Sequence, residues 1–226
     1  MYQLVSVADF YDLVGVSGNY TDNKYGCLKS LNEIDAVGHR VVHGGEKFSS
    51  SVRITNEVIG KVVECIDLAP LHNPPNLKGI RAMDAIIPGI PQVAVFDTAF
   101  HTTLPEKAFR YPLPKKYYTD YAVRKYGAHG TSHMYVSQEA AKLLGKPIEE
   151  TKIITAHIGN GASITAVKGG ESVDTSMGFT PLDGFMMGTR SGGVDPSAVT
   201  YIMKQENLTP DEMDTILNKK SGVNAI

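Results

Sequence analysis

The chain has 226 residues, of which 42% are hydrophobic and 20% are charged, and its formal net charge is −2. This composition is typical of a folded, water-soluble protein, and the near-neutral charge gives no reason to expect a nucleic-acid partner. No apolar run reaches the length of a membrane span, and the first residues, MYQLVSVADFYDLV, lack the basic start of a signal peptide, so we predict a cytoplasmic protein with no membrane partner.

The first thirty residues carry little chemical information. The stretch from Leu4 to Val14 fits either a strand or a short helix, and turns are predicted at 18–19 and 23–26. Cys27 and Cys65 lack the spacing of a metal or redox pair, so we predict reduced cysteines that serve packing.

An apolar run from Ala36 to Val42 predicts the first clear strand. Arg40 lies within this run, and a buried guanidinium needs an anionic partner. Two interpretations stay open: Arg40 forms an ion pair with Glu46, or it binds an anionic ligand. His39 and His43 lie four residues apart on a strand, and we predict that they pack and hydrogen-bond rather than bind a metal.

Two helices are predicted next. Apolar residues recur at helical spacing over 54–68. Asn73 is the predicted N-cap of a second helix that begins at Pro74 and runs to about Ile87. His72 would then lie beside the positive end of this helix, where anions are favoured.

The next strand is predicted at 92–96 and is followed by Asp97. Such a carboxylate either faces a crevice at the end of the strand or caps the following turn. An irregular segment at 104–125 leads to the sequence YGAHGTSH, in which Thr131 is the predicted cap of a helix to about Leu144. His129 would be exposed on a tight turn and suited to proton or charge chemistry.

The stretch from Thr151 to Val167, TKIITAHIGNGASITAV, predicts a hairpin. Asn160 and Gly161 are the typical pair for a tight turn that needs positive φ. Glycine also leaves backbone N–H groups accessible to a phosphate. An ordinary surface hairpin is the alternative.

Further elements follow this hairpin. A strand is predicted at 171–177, and Arg190 follows in a loop of small residues that suits either a cleft or an exposed surface. Asp195 and Pro196 start a helix, and Thr209 with Glu212 forms a predicted capping box for the last one.

The inventory of functional residues favours one kind of chemistry. Arginines, histidines and a glycine-rich hairpin are present, whereas the sequence has no nucleophile elbow and no P-loop. Phosphoryl transfer fits this set, because that reaction depends on positioning and on charge stabilisation.

The sequence resembles the acetate kinase family. The motifs that carry the resemblance are GHRVVHGGEKF, APLHNPPN, VFDTAFH, YGAHGTSH, HIGNGASITAV, SMGFTPLDG and GTRSGGVDP, over about Asp35 to Val223. The resemblance implies the two-domain α/β fold of the ribonuclease H-like, actin-like ATPase superfamily, with domain closure over a cleft. It also implies reversible phosphoryl transfer from ATP to acetate with Mg²⁺, giving acetyl phosphate and ADP, and a homodimer in the family.

The resemblance assigns roles to individual residues. Arg40 and Arg190 would bind the carboxylate and the phosphoryl group in transit, and His129 would stabilise the transition state. Asp97 would act at the Mg²⁺ or position the substrate carboxylate, and no direct metal ligand is assigned. Glu46 would orient Arg40. The remaining assignments are a pocket for the acetate methyl group (Val42, Leu71, Pro181), secondary active-site residues (His72, His157) and contacts with nucleotide phosphates (His157, Gly159, Asn160, Gly161).

Three departures from the family pattern change these expectations. The family's opening phosphate-binding hairpin, Asn-x-Gly-Ser-Ser-Ser-x-Lys, does not occur, and the family continues beyond Val223 with an adenosine site. We therefore expect residues 1–150 to form an acyl-substrate domain without its usual first strands, and residues 151–226 to begin an incomplete nucleotide-binding domain. Ala128 stands where the family usually has Phe, which predicts a wider acyl pocket.

These departures leave alternatives to an ordinary acetate kinase. The wider pocket favours a propionate or other short-chain acyl kinase, and the missing motifs favour impaired turnover, a non-catalytic fragment or a pseudo-enzyme. A partial second domain also predicts exposed apolar faces and a poorly soluble or partner-dependent product, and it leaves the oligomeric state of this chain open.

Overall fold

The computed structural model describes residues 30–226, so Cys27 and the elements predicted for residues 1–29 lie outside the described part. The chain divides into two compact units after Phe96, and the second unit is Asp97–Ile226. Within residues 30–226, no helix is both long and apolar enough to cross a membrane.

The first unit contains a small mixed sheet. Its strands are β1 (Val37–Val41), β2 (Val52–Arg53) and β3 (Gln92–Phe96), with β3 in the centre. Strand β1 runs parallel to β3, with Val37 opposite Gln92, and β2 runs antiparallel to it. The strands predicted around Arg40 and before Asp97 are therefore confirmed.

Two helices accompany this sheet, α1 (Asn56–Val63) and α2 (Asn73–Ile86). Helix α1 is shorter than the apolar pattern over 54–68 predicted, because a separate 3₁₀ turn follows at Ile66–Leu68. Phe48 and Phe96 stack with ring centroids 4.3 Å apart in the core of the unit. Cys65 is buried and free, as predicted for a packing residue.

The predicted capping role of Asn73 is wrong. Asn73 is the first residue of α2, and its side chain is fully buried and bonded to the backbone of His43. The two prolines that follow have no N–H group, so the helix start has fewer donors that a cap would need to satisfy. The buried chain at His43 offers the amide both a donor and an acceptor instead.

The second unit contains an antiparallel meander of β4 (Lys152–Ile158), β5 (Ala162–Lys168) and β6 (Glu171–Thr175). Its described helices are α3 (Glu106–Phe109), α4 (Lys116–Tyr121), α5 (Gly130–Leu143), α6 (Pro196–Glu206) and α7 (Pro210–Lys219). The short helices α3 and α4 lie in the segment predicted to be irregular.

The predicted hairpin is confirmed, but its predicted turn geometry is wrong. Ile158 pairs with Ala162, so the loop has three residues, Gly159, Asn160 and Gly161. None of the three has a positive φ. A longer loop reverses the chain without the mirror-image turn that a two-residue connection requires.

The helix starts show two kinds of outcome. Thr131 does not cap α5, because the helix begins at Gly130 and is preceded by His129. The other two predictions are confirmed, since Asp195 accepts a hydrogen bond from the Ser197 N–H and Thr209 forms a capping box with Glu212.

The hairpin buries its hydroxyl groups rather than its isoleucines. Thr155, Ser163 and Thr165 are at most 2% exposed and lie on one face, since Thr155 pairs with Thr165 and His157 pairs with Ser163. The opposite face carries exposed isoleucines at 154, 158 and 164. Helix α5 supplies the side chain that pairs with the buried hydroxyl groups.

Candidate active site

The turn before α5, residues 127–130, holds His129 in a strained conformation. His129 has a φ of 57°, in the left-handed region that residues other than glycine adopt rarely. The Gly130 N–H donates to the Asp97 carbonyl at 2.9 Å, and a Cβ on Gly130 would collide with that oxygen. The His129 turn is therefore fixed on the residue that follows β3.

Four histidines of the second unit form one cluster, His101, His129, His133 and His157. The rings of His129 and His157 stack with centroids 4.0 Å apart and planes 22° apart. His157 Nδ1 lies 2.9 Å from the Ser132 hydroxyl. Helix α5 and strand β4 together hold the stacked pair in place.

A chain of hydrogen bonds runs from His129 into the interior. His129 Nδ1 lies 2.7 Å from Ser163 Oγ, and the same oxygen lies 2.8 Å from His133 Nε2. His133 Nδ1 lies 2.7 Å from Thr155 Oγ1. These contacts form the imidazole–hydroxyl chain of His129, Ser163, His133 and Thr155.

The two innermost histidines are neutral at pH 7. His101 and His133 are each 1% exposed. Burial lowers the pKa of His133 to about 3, with nearby histidines adding to the effect. Burial also lowers the pKa of His101 to about 4, and this ring bonds Ser172 and the Ala128 carbonyl at 2.8 and 2.9 Å.

Arg190 lies beside the hairpin. Its Nη1 donates to the Pro181 carbonyl at 3.2 Å. A Cβ placed on Gly161 would be 3.1 Å from Arg190 Nη1 and 3.6 Å from His129 Nε2, so both nitrogens face the same point on the hairpin backbone. Burial lowers the pKa of Arg190, but a guanidinium stays charged in proteins.

The loop of Arg190 is also bonded to the hairpin through the backbone. The Gly188 N–H donates to the Asn160 carbonyl at 3.2 Å. The structure therefore brings together five of the predicted residues, His129, His157, Gly161, Pro181 and Arg190, with Asn160 at the exposed tip. An imidazole, a guanidinium and a glycine backbone in this arrangement suit an anionic group.

Four other predicted residues, Arg40, Val42, Leu71 and His72, belong to the first unit. Arg40 is exposed on β1, so the expectation of a buried guanidinium is wrong; the strand alternates, and Val41 is the residue that turns inward. Val42 is buried, Leu71 is 54% exposed and His72 is half-buried.

The loop at Val42–Gly45, here called the strand-end loop, is held by two asparagines that the sequence did not single out. The Asn73 side chain accepts from the His43 N–H at 3.2 Å and donates to the His43 carbonyl at 3.0 Å. Asn76 Oδ1 accepts from the Val42 N–H at 3.1 Å. His43 and His39 pack and hydrogen-bond as predicted, and burial lowers the pKa of His43 to about 4.

Ala128 packs in a small apolar cluster. It is 2% exposed and lies among Ala162, Met177 and Met187, with Phe185 packed against them. Methionine fills irregular space well, so the volume beside this alanine is occupied on that side. Its assigned role at the substrate stays a prediction.

The described residues do not by themselves form a metal cage. Within 30–226, no group of three or more His, Cys, Asp or Glu side chains could hold an ion. Asp97 is 2% exposed. The indirect role assigned to Asp97 at a metal stays a prediction.

Sequence reasoning missed Ser163, Thr155 and His133 as parts of the site. The signals were present but weak. His133 follows His129 by four residues at the start of a helix, and Ser163 and Thr165 alternate along one strand face. Hydroxyl groups at alternate positions normally indicate an exposed face, so only the packing of α5 on the sheet identifies them as buried partners.

Comparison with known proteins identifies the relatives of this chain. A sequence model of the Acetokinase family matches residues 12–226. The chain is 62% identical over 205 residues to an acetate kinase of Thermoanaerobacterium thermosaccharolyticum, which covers 91% of this chain and 51% of that protein. An acetate kinase of Caldanaerobacter subterraneus subsp. tengcongensis is 63% identical with the same coverage.

Solved structures give the same result. The acetate kinase of Porphyromonas gingivalis superposes with a TM-score of 0.88 at 55% identity, covering 100% of this chain and 55% of that one. A propionate kinase from Francisella tularensis gives 0.88 at 49% identity, with 98% and 55% covered. The predicted α/β fold of the actin-like ATPase superfamily is confirmed. The family match begins at residue 12, earlier than the resemblance predicted, and the chain spans about half the length of the curated relatives it matches.

Proposed function

Because the chain belongs to the acetokinase family, we propose that it carries acyl-binding and phosphoryl-transfer residues of an acetate kinase. The reaction is reversible transfer between ATP and acetate, giving acetyl phosphate and ADP. One observation carries the proposal, namely that His129 Nε2 and Arg190 Nη1 face the same point beside Gly161. A transferring phosphoryl group needs cationic and N–H donors around its oxygens at such a point.

The proposed phosphoryl transfer from ATP to acetate conserves charge, and no net proton is taken up or released. A carboxylate oxygen of acetate forms a bond to the γ-phosphorus, the bond from that phosphorus to the bridging oxygen breaks, and ADP leaves with the electron pair. Arg190 binds oxygens of the moving group, because its planar donors match their geometry. His129 stabilises the charge that these oxygens share in the transition state.

The other assigned residues act on the two substrates. In this proposal Arg40 is assigned to the acetate carboxylate, Val42, Leu71 and Pro181 are each assigned to the acetate methyl group, and His72 is a secondary active-site residue. His157, Gly159 and Asn160 contact nucleotide phosphates. Mg²⁺ accompanies the nucleotide in this proposal and neutralises phosphate charge when bound; since residues 30–226 form no three-ligand group, no step is assigned to it.

A hydroxamate assay for acetyl phosphate tests the proposal on the purified 226-residue chain. Arg190→Ala is expected to lower turnover by about 10²–10³, the cost of one preorganised charge-stabilising group. The matched control is Arg81→Ala, since Arg81 is exposed on α2 and has no assigned role. Equal rates for both variants would contradict the assignment of Arg190.

Binding provides a second readout that does not depend on turnover. Acetyl phosphate is titrated into ¹⁵N-labelled protein, and shifts are expected at His129, Gly161 and Arg190. Arg190→Ala should abolish these shifts and Arg81→Ala should keep them. A chain that neither turns over nor binds acetyl phosphate is the non-catalytic alternative.

A propionate or other short-chain acyl kinase is the second candidate. It is favoured by Ala128 in place of the family's usual Phe and by the similarity to the Francisella tularensis propionate kinase. The test compares kcat/KM for acetate, propionate and butyrate, because each added methylene reports on pocket size. A clear acetate preference rules out the wider pocket and agrees with the methionine packing around Ala128.

Three further features belong to the same proposal. They are a functional boundary near residue 150 between acyl and nucleotide binding, a homodimer and a cytoplasmic location. Light scattering of the purified chain checks the dimer, and a monodisperse monomer would contradict it. Ligand shifts for acetate before residue 150 and for ATP after it would support the boundary.

A further inference from the structure

The direction of the imidazole–hydroxyl chain decides which nitrogen of His129 carries a proton. A neutral imidazole has one donor nitrogen and one acceptor nitrogen, and a hydroxyl has one proton to donate. Ser163 Oγ lies within hydrogen-bond distance of both His129 and His133, and its single proton can go to only one of the two rings. The direction of that proton therefore depends on which nitrogen of His133 is the acceptor.

Thr155 selects the direction. Its hydroxyl lies 3.4 Å from the Thr165 carbonyl, an oxygen that can only accept, and 2.7 Å from His133 Nδ1. If Thr155 donates to the carbonyl, it accepts from His133 Nδ1–H. In the reverse direction the Thr155 hydroxyl donates to His133 Nδ1 instead. The buried Thr165 carbonyl then loses the hydroxyl as a hydrogen-bond donor.

The remaining bonds follow from that choice. His133 is neutral, so a protonated Nδ1 makes its Nε2 an acceptor for the Ser163 hydroxyl. With its proton given to His133, Ser163 accepts from His129 Nδ1–H. We propose that Thr155, His133 and Ser163 are positioning residues that select the Nδ1–H tautomer whenever the His129 ring is in its neutral form, so that the unprotonated Nε2 of that form faces the hairpin backbone at Gly161 beside Arg190.

This inference deepens the proposed function and rests on it for its catalytic meaning. An unprotonated Nε2 repels an anionic phosphoryl oxygen, so it must take up a proton before it can donate to that oxygen. Among the residues that the structure describes, the titratable groups beside the ring include His133 on α5, stacked His157 on β4 and Arg190 in its loop. The imidazole–hydroxyl chain keeps the other nitrogen, Nδ1, protonated, so His129 gains and loses this second proton at Nε2.

Ring ¹⁵N NMR of histidine measures the tautomer directly and needs no enzymatic activity. The 226-residue chain is studied near pH 7.5, where free histidine is mostly neutral. His129→Gln identifies the His129 signals. The expected spectrum has a protonated Nδ1 and an unprotonated Nε2 for His129, and the reverse assignment would overturn the proposal.

Two variants interrupt the imidazole–hydroxyl chain at different hydrogen bonds. Ser163→Ala removes the acceptor of His129 Nδ1–H, and Thr155→Val removes the group that sets the direction while keeping the shape. Either variant is expected to move His129 substantially toward Nε2–H. If Ser163→Ala fails to fold, Thr155→Val alone decides, and an unchanged Nδ1–H tautomer there would overturn the proposal.

Ser172→Ala is the matched control. Ser172 is also fully buried and bonds a cluster histidine, His101, at 2.8 Å. It is not a member of the imidazole–hydroxyl chain. The His129 tautomer should not change in this variant. If the tautomer is as expected but acetyl phosphate does not bind, the positioning role holds and the proposed function fails, so the two outcomes are distinguishable.

Discussion

The strand-end loop of the first unit and the His129 turn of the second are held by different chemistry. The strand-end loop is fixed mainly by the amide side chains of Asn73 and Asn76, which bond backbone groups, and the His43 ring adds one bond from the Gly45 N–H. The His129 turn is held by hydroxyls and imidazoles that bond one another. Both arrangements are buried, and both satisfy polar groups that would be costly to leave without partners.

The difference lies in how a proton can be placed. An amide carries its donor and its acceptor on different atoms, so the strand-end loop is satisfied in one orientation only. A hydroxyl or an imidazole can exchange these roles, so the same heavy atoms allow two directions around His129. The loop is thus suited to fixed positioning, and the histidine cluster is suited to a group that gains and loses a proton.

Acidification should have the largest effect, with two contributing rings in the histidine cluster and one, His43, in the strand-end loop. The native pKa values of His133 and His101 are about 3 and about 4, below the ordinary value of 6.5. The unfolded chain therefore binds more protons below pH 6.5, so stability is fully present above that pH and falls as pH decreases. Between about pH 7.5 and 5 we expect a loss of about 2 kcal/mol per ring in the free energy of unfolding.

Urea denaturation at both pH values measures this loss, and His133→Asn isolates one ring. The variant should lose less stability on acidification than the wild-type protein, whatever its stability at neutral pH. Gln138→Asn, on the exposed side of the same helix, should keep the wild-type pH dependence. Identical pH dependence in all three proteins would show that His133 is not a buried neutral group.

Truncation of Asn73 should be the next largest effect. The amide bonds both backbone groups of His43 and lies 3.4 Å from the carbonyls of Val62 and Cys65. Asn73→Ala removes these bonds inside the core, and each orphaned group adds to the cost. We expect the free energy of unfolding to fall by about 3 kcal/mol at neutral pH.

Asn76→Ala is the graded control for this prediction. Asn76 is half-buried and makes one described bond to the same loop, to the Val42 N–H. Its loss should cost about 1 kcal/mol in urea denaturation. If both variants cost the same, the buried amide of Asn73 is not the main support of the strand-end loop.

The sequence predicts those parts of the fold that follow from local chemistry. The strand before Asp97, the hairpin at 152–168 and the capping box of Thr209 each depend on residues that are close in the chain. Predicted caps failed at Asn73 and Thr131, where tertiary packing gives the chain another partner. A capping residue reports a local preference, and a buried neighbour can override it.

The sequence predicted the residues of the candidate site but not the buried side chains that hold them in place. Motif resemblance named His129, Arg190 and Gly161, which the fold brings together. It did not reveal Ser163 as a buried partner, because the hairpin reverses the usual pattern and exposes Ile154 while burying Thr155. That inversion depends on which face α5 covers, and a strand alternation specifies two faces without saying which is covered.

The smallest loss of stability is expected from Gly161→Ala. This substitution compares the two units by the space that each leaves for an added methyl group. Gly161 does not have a positive φ, so its backbone lies outside the left-handed region that disfavours alanine. The new methyl group would lie 3.1 Å from Arg190 Nη1, which is the far end of a flexible side chain and can move by a few tenths of an ångström. Thermal melting should therefore show a change within about 0.5 kcal/mol.

The same substitution should nevertheless weaken acetyl phosphate binding several-fold, because Arg190 and His129 both face the added methyl group. Gly79→Ala is the matched control in the first unit, since a Cβ there meets nothing within 4 Å. In the helix interior this change should raise stability by about 0.5–1 kcal/mol and leave binding unchanged. A Gly161→Ala protein that binds like the wild type would mean that the ligand does not approach this point of the hairpin, and the site would have to lie elsewhere along Arg190.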